Sequence, residues 1–189
     1  MHDSEKKGAI FLDRDGTLNP DPGYIDSPND YELYPETLRA LKNLSTTGLP
    51  FILVTNQSGI GRGLIEETAL ETIHNKLDTL LNQHGLVLLA IYYCPHTPEE
   101  GCNCRKPSTG MFTQAADEQR IDLTSSYMIG DSVADVLAAN AVGSQSILVK
   151  TGNGQRTERK ILNGKLSADF VGDNLSECAE YIVNLEAKR

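Results

Sequence analysis

Short apolar runs rich in branched residues alternate with longer amphipathic stretches along the chain. Ala9-Ile10-Phe11-Leu12 reads as a fully buried strand, and Phe51–Thr55, Leu86–Tyr93, Ser126–Ile129 and Gln145–Val149 read the same way. Ala168–Val171 is a candidate last edge strand. Leu38, Leu41 and Leu44 mark one face of a helix opened by Pro35 and stopped by Gly48. Leu70, Ile73, Leu77, Leu80 and Leu81 mark the core face of a helix over 66–83. Further helices are expected over 110–119, 132–141 and 174–187, with a loop and a short helix over 152–166. Strands alternating with helices predict an α/β fold, a Rossmann-like three-layer sandwich whose mostly parallel sheet has helices on both faces. No repeat or linker divides residues 1–189, which read as one domain with no segment for a large cap.

Two stretches break the pattern. Residues 13–34 are irregular and hold Pro20, Pro22, Gly23 and Pro28; connections this long usually line or cover a site. Residues 94–109 carry Cys94, Cys102 and Cys104 with no hydrophobic period.

The strands end in chemistry. Asp13 and Asp15 follow the first, Thr55 and Asn56 end the second, and Asp131 ends the fourth, with Asp135 one helical turn on and Lys106 in the preceding loop. Ligands of open α/β sheets bind in the crevice at the carboxyl ends of the strands. Two carboxylates crowded there repel unless a cation sits between them, and a hard cation such as Mg²⁺ favours oxygen ligands. The plainer alternative is a polar turn closing a loop. Taken together, the residues suit phosphoryl transfer to an aspartate. One carboxylate attacks phosphorus, Lys106 and a metal offset the charge, and Asp15 moves the proton of the leaving alcohol and then of the attacking water.

Net charge is −9, which disfavours nucleic acid or an anionic membrane as partner and requires local cations at any phosphate site. No apolar run approaches the ~20 residues of a membrane span, and the N-terminus lacks a signal-peptide core. The expectation is a cytoplasmic monomer, able to bury about 70% of its unfolded surface without staples. Cys94-Pro-His96 and Cys102-Asn-Cys104 offer three thiolates and an imidazole, a set that suits tetrahedral, structural Zn²⁺. The alternative is a group of unrelated reduced cysteines.

These stretches resemble the haloacid dehalogenase-like phosphatases, whose four signatures are matched by DRDGT at 13–17, TN at 55–56, Lys106 and GDSVAD at 130–135. FLDRDGTLN, PGY, VTNQSGIGRG, YYCPH and CNCRKPSTGM, spread over residues 9–150, are similar to the bacterial D-glycero-D-manno-heptose 1,7-bisphosphate 7-phosphatases. The resemblance implies a sugar phosphate substrate, on the heptose route to lipopolysaccharide or glycoprotein sugars. It implies Asp13 as nucleophile and Mg²⁺ ligand, and Asp15 as acid/base with its carbonyl on the metal. Thr55 and Lys106 would hold the phosphoryl group and Asp131 would complete the Mg²⁺ site. Asp21, Pro22, Gly23, Tyr24, Asn56, Gln57, Ser58 and Arg105 would line the sugar and remote phosphate, and a zinc loop would use Cys94, His96, Cys102 and Cys104.

Ser132 departs from the family pattern, which often has Lys there, and this puts the grip on the second phosphate in doubt. Asp135 reads either as a group behind the metal or as a solvated helix acid. His2, His74 and His84 read as solvated residues and Cys178 as a small core residue. Histidinol-phosphate phosphatase and polynucleotide 3′-phosphatase are the enzymatic rivals. A non-catalytic zinc-stabilised binding module is the rival of another class.

Overall fold

The apolar runs become six strands, all parallel, in the order β3-β2-β1-β4-β5-β6. They are β1 (Ile10–Leu12), β2 (Phe51–Asn56), β3 (Leu88–Cys94), β4 (Tyr127–Gly130), β5 (Gln145–Val149) and β6 (Phe170–Gly172). The computed structural model describes residues 6–189, so the reading of His2 lies outside the described residues. Seven helices occur among them: α1 (Thr37–Leu44), the single turn α2 (Ser58–Gly61), α3 (Glu67–Gln83), α4 (Gly110–Gln119), α5 (Val133–Val142), α6 (Gly154–Leu162) and α7 (Leu175–Glu186).

Strand alternation explains why both faces are covered. Ile10, Leu12 and Leu53 point to one side and meet Leu41, Leu77 and Ile182 of α1, α3 and α7. Phe11, Ile52 and Val54 point to the other and meet Met111, Phe112 and Ala138 of α4 and α5. Phe11 and Phe112 bring ring centroids to 4.9 Å. Each ring's burial contributes about 1.5–3 kcal/mol. Cys178 is fully buried in this core, and His84 is exposed.

Several boundaries move. Pro35 and Glu36 precede α1 as a turn, β3 begins two residues after Leu86, and the Gly/Lys-rich segment yields a nine-residue α6. The segment 13–34 is anchored more firmly than its composition suggested, with Leu18, Ile25 and Tyr31 buried in the α1/α3 side of the core. Thr37 Oγ1 and the Tyr34 backbone donate to the carbonyl of Leu18, and Lys76 Nζ donates to the carbonyls of Pro28 and Tyr31.

Candidate active site

β1 and β4 are neighbours although far apart in sequence, and the chain departs from them in opposite directions across the sheet. A sheet of this order opens a crevice at that point, beyond the carboxyl ends of the two strands. Asp13 N–H donates to Ile129 O at 2.9 Å, which seats Asp13 at the tip of β1 beside Asp131 at the tip of β4. The approach is close enough to require glycine. A Cβ on Gly16 (φ +84°) or on Gly152 (φ +54°) would lie 2.2 Å from Asp131 Oδ2. That oxygen accepts from the Asn153 backbone N–H (2.6 Å) and from Asn153 Nδ2 (3.3 Å).

Lys106 enters the same crevice from the cysteine loop. Its buried Nζ donates to Asp13 Oδ1 at 2.7 Å and to Val54 O at 2.6 Å, and pairs with Asp135 Oδ1 at 2.6 Å. Asn56 holds the Lys106 backbone reciprocally, Nδ2 donating to the carbonyl and Oδ1 accepting from the N–H, each at 3.0 Å. Asp135 is 1% exposed, so its reading as a solvated helix acid is corrected. It closes a capping box with Ser132 at the start of α5, accepting from the Ser132 N–H and hydroxyl while Ser132 Oγ accepts from its N–H.

Burial, reinforced by repulsion from Asp135, pushes Asp131 up to about 7. Burial also raises Asp13 well above the carboxylate range, against the pull of Lys106. Burial alone would lower Lys106, but Asp13 and Asp135 outweigh it and keep the ammonium charged. Carboxylate oxygens of Asp13, Asp131 and Asp135 lie within 4.8 Å of one another. An all-oxygen set carrying more negative charge than one ammonium can offset fits a hard divalent cation.

Asp15 sits in a different web. Arg14 Nε donates to its Oδ1 at 3.0 Å and Nη2 to its Oδ2 at 2.8 Å. Asn19 Nδ2 adds a bond to Oδ1 (2.9 Å) and Gln57 Nε2 one to Oδ2 (2.8 Å). Burial would raise Asp15, but the Arg14 charge and these donors win and hold it below the usual carboxylate range. Gln57 also donates to Thr55 Oγ1 (2.9 Å) and accepts from Arg14 Nη2 (3.1 Å), so its amide is spent inside the chain.

Asp13, Asp15, Thr55, Lys106 and Asp131 all open onto one cleft of about 400 Å³. Asp21, Gly23, Tyr24, Asn56, Gln57, Ser58 and Arg105 line it too, whereas Pro22 does not. Asp21 Oδ1 accepts from the Gly23 N–H, shaping that turn, and Arg105 Nη1 donates to His96 O.

Sequence reasoning missed three neighbours. Asn153 lies in the Thr-Gly-Asn-Gly that follows β5, the same switch from apolar strand to polar turn that marked Asp13. Arg14 lies inside DRDGT, whose pattern assigns it no role of its own. His74 was read as solvated; it is buried, because it lies on the stripe Leu70-His74-Leu77-Leu81 that faces inward.

On the loop that carries Arg105 and Lys106, donor atoms of Cys94, His96, Cys102 and Cys104 lie within 4.8 Å of one another. The sulfurs are 3.1–3.5 Å apart, and His96 Nδ1 is 3.2 Å from Cys104 Sγ and 3.6 Å from Cys94 Sγ. With Zn–S bonds of ~2.3 Å a tetrahedral S–S edge is ~3.8 Å, so the sulfurs need spread by only about 0.3–0.7 Å.

Residues 103–178 match the family described as HAD-hydrolase-like. The D-glycero-beta-D-manno-heptose-1,7-bisphosphate 7-phosphatase of Haemophilus ducreyi is 42% identical over 184 residues, 93% of this chain and 98% of that protein. The enzyme of that name from Pseudomonas aeruginosa is 41% identical over 157 residues, 82% of this chain and 88% of that protein. Among solved structures, the D,D-heptose 1,7-bisphosphate phosphatase from B. bronchiseptica, complexed with magnesium and phosphate, superposes with a TM-score of 0.86. It is 38% identical and the match covers 94% of this chain and 99% of that one.

Proposed function

Since the chain belongs to the haloacid dehalogenase-like D-glycero-D-manno-heptose-1,7-bisphosphate 7-phosphatases, we propose that it removes the 7-phosphate of that bisphosphate through a phosphoaspartate on Asp13. The reaction is phosphoric monoester hydrolysis. The observation that carries the residue assignment is the convergence of Asp13, Lys106, Asp131 and Asp135 at the ends of β1 and β4, with Asp15 on the same cleft.

An Asp13 carboxylate oxygen bonds to phosphorus as the bond from phosphorus to the sugar oxygen breaks, and Asp15 gives that oxygen its proton. Asp15, now a carboxylate, takes a proton from the water that attacks the phosphoaspartate, which releases inorganic phosphate and frees Asp13. At rest Asp15 is the carboxylate. The substrate's phosphate charge arriving beside it raises its proton affinity towards the acid form that the first half needs. Lys106, fixed by Val54 O and by Asn56, presents a permanent positive charge to the transferring group, and the Thr55 hydroxyl adds a donor. Asp13, Asp131, Asp135 and the Asp15 carbonyl would hold Mg²⁺, which would supply further charge neutralisation there. Arg105 offers a planar fork to the remote phosphate. Cys94, His96, Cys102 and Cys104 would hold a structural Zn²⁺, which would tie down the loop that delivers Arg105 and Lys106. The enzyme acts as a monomer in the cytoplasm.

The test is phosphate release with Mg²⁺ from the α- and β-heptose 1,7-bisphosphates and from histidinol phosphate, side by side. A heptose bisphosphate is expected to be turned over fastest, and Asp13→Asn is expected to lose at least ~10³-fold in kcat. Faster release from histidinol phosphate would overturn the substrate, and an Asp13→Asn enzyme as fast as the parent would overturn the mechanism.

A further inference from the structure

Behind Asp15 the web continues away from the cleft to a histidine that none of the steps above uses. Arg14 is 1% exposed, and Asp15 is its carboxylate partner. A guanidinium carries five N–H donors in a rigid fork and no acceptor. Nε and Nη2 face Asp15, Nη2 also reaches Gln57 Oε1, and Nη1 lies 3.3 Å from His74 Nε2. Because arginine can only donate, His74 Nε2 is the acceptor and the ring's proton sits on Nδ1. Burial, seconded by the Arg14 charge, lowers His74 to about 3, so the ring is neutral. The Tyr31 ring lies 5.9 Å from the guanidinium carbon, a second neutral support. His74 occupies a position on α3 where its stripe neighbours Leu70, Leu77 and Leu81 are apolar and buried. A leucine there would bury more apolar area but would leave Nη1 facing no acceptor.

We infer that His74 is a positioning residue for the leaving-group proton transfer: through Nε2 it anchors Arg14, and Arg14 fixes the carboxylate plane of Asp15. This rests on the reading of Asp15 as the acid given above. Releasing the far edge of the fork lets the guanidinium swing, and Asp15 loses the orientation that aims its proton at the departing sugar oxygen. In the first half-reaction the cost falls on substrates whose leaving oxygen needs a proton and spares those whose leaving group departs as a stable anion; the later hydrolysis of the phosphoaspartate, for which Asp15 is the base, is shared by both.

The experiment compares kcat/KM, which reports the steps through phosphoaspartate formation, for the heptose bisphosphate and for 2,4-dinitrophenyl phosphate in the parent, His74→Phe, His74→Gln and Asp15→Asn. His74→Phe keeps an aromatic ring beside Tyr93 (centroids 5.9 Å apart in the parent) but removes the acceptor; His74→Gln keeps an acceptor. The expected result is a loss of about tenfold or more in kcat/KM for the sugar phosphate with His74→Phe, little change in kcat/KM for the dinitrophenyl ester, and recovery in His74→Gln. An equal fall in kcat/KM on both substrates, or no fall on either, while Asp15→Asn does lose kcat/KM for the sugar phosphate selectively, overturns the inference and leaves the reading of Asp15 intact. An Asp15→Asn enzyme with full sugar-phosphate turnover removes that reading and the inference with it. If His74→Phe does not fold, ¹⁵N shifts of the His74 ring in the parent decide: a proton on Nδ1 supports the inference, and a proton on Nε2 overturns it.

Discussion

Lys106 Nζ reaches Asp13 Oδ1 at 2.7 Å across 93 residues of sequence, and its other carboxylate partner, Asp135, lies 2.6 Å away. This buried ammonium is what lets two aspartates share the end of one crevice. Removing it leaves uncompensated charge rather than a gap.

Lys106→Met is therefore expected to destabilise the metal-free protein by about 3–5 kcal/mol. Mg²⁺ should restore part of that loss, because a cation bound only by the folded chain stabilises it by mass action. Urea unfolding with and without Mg²⁺ checks this. The same variant is expected to lose ~10²–10³-fold in kcat, the usual consequence of removing a preorganised donor from a charge-developing site.

The neutral His74 gives a pH dependence with a definite sign. The unfolded imidazole takes up a proton near pH 6.5, whereas the folded one resists until about 3. The unfolded state therefore binds more protons in this window, and stability falls as pH drops from 6.5 towards 3. His74→Gln, which cannot titrate, should show a shallower fall over the same window. The parent's urea midpoint relative to that of His74→Gln should fall as pH drops from 6.5 towards 3 and stay level above 6.5.

The cysteine–histidine cluster predicts about one zinc ion per chain by elemental analysis. Stripping it with a strong chelator should lower the thermal midpoint and reduce phosphatase activity together, because Lys106 is two residues from Cys104. Cys104→Ser should reproduce both effects. Unchanged kinetics in zinc-free protein would separate the loop from the active site.

Gly16→Ala tests the crevice wall. Its Cβ would lie 2.2 Å from Asp131 Oδ2 and 3.2 Å from the Gly152 Cα, at a φ of +84° that side chains rarely adopt. Both effects push Asp131 aside, so the Mg²⁺ concentration giving half-maximal activity should rise at least about tenfold. Mg²⁺ titration of initial rates measures it.

The apolar runs at 9–12, 51–55 and 126–129 marked their strands because residues buried on both faces of a parallel sheet leave a continuous hydrophobic signature. The leucine period of α3 was legible for a related reason, since one side of a helix must stay dry. The same logic misread His74. Periodicity reports which face is inward, but a polar residue on that face is classified by its type until its partner is known, and the partner here lies 60 residues away. Asp135 was ambiguous for the same cause. One helical turn beyond Asp131, it could have faced solvent or the crevice, and the ion pair with Lys106 decided between them.

By itself, then, the order of amino acids determined the local rules. It set where strands stop, that carboxylates and a threonine stand at those stops, and that three thiols and an imidazole lie close along one loop. Those follow from backbone and burial preferences that act over a few residues. Only the folded chain decided which of these groups meet. The parallel order β3-β2-β1-β4 puts Asp13 beside Asp131, and the Asn56 clamp aims Lys106 between Asp13 and Asp135. The physical reason is range. Burial patterns are written in neighbouring residues, but the electrostatics of a site depend on distances of about 3 Å between groups that only strand order and packing can bring together.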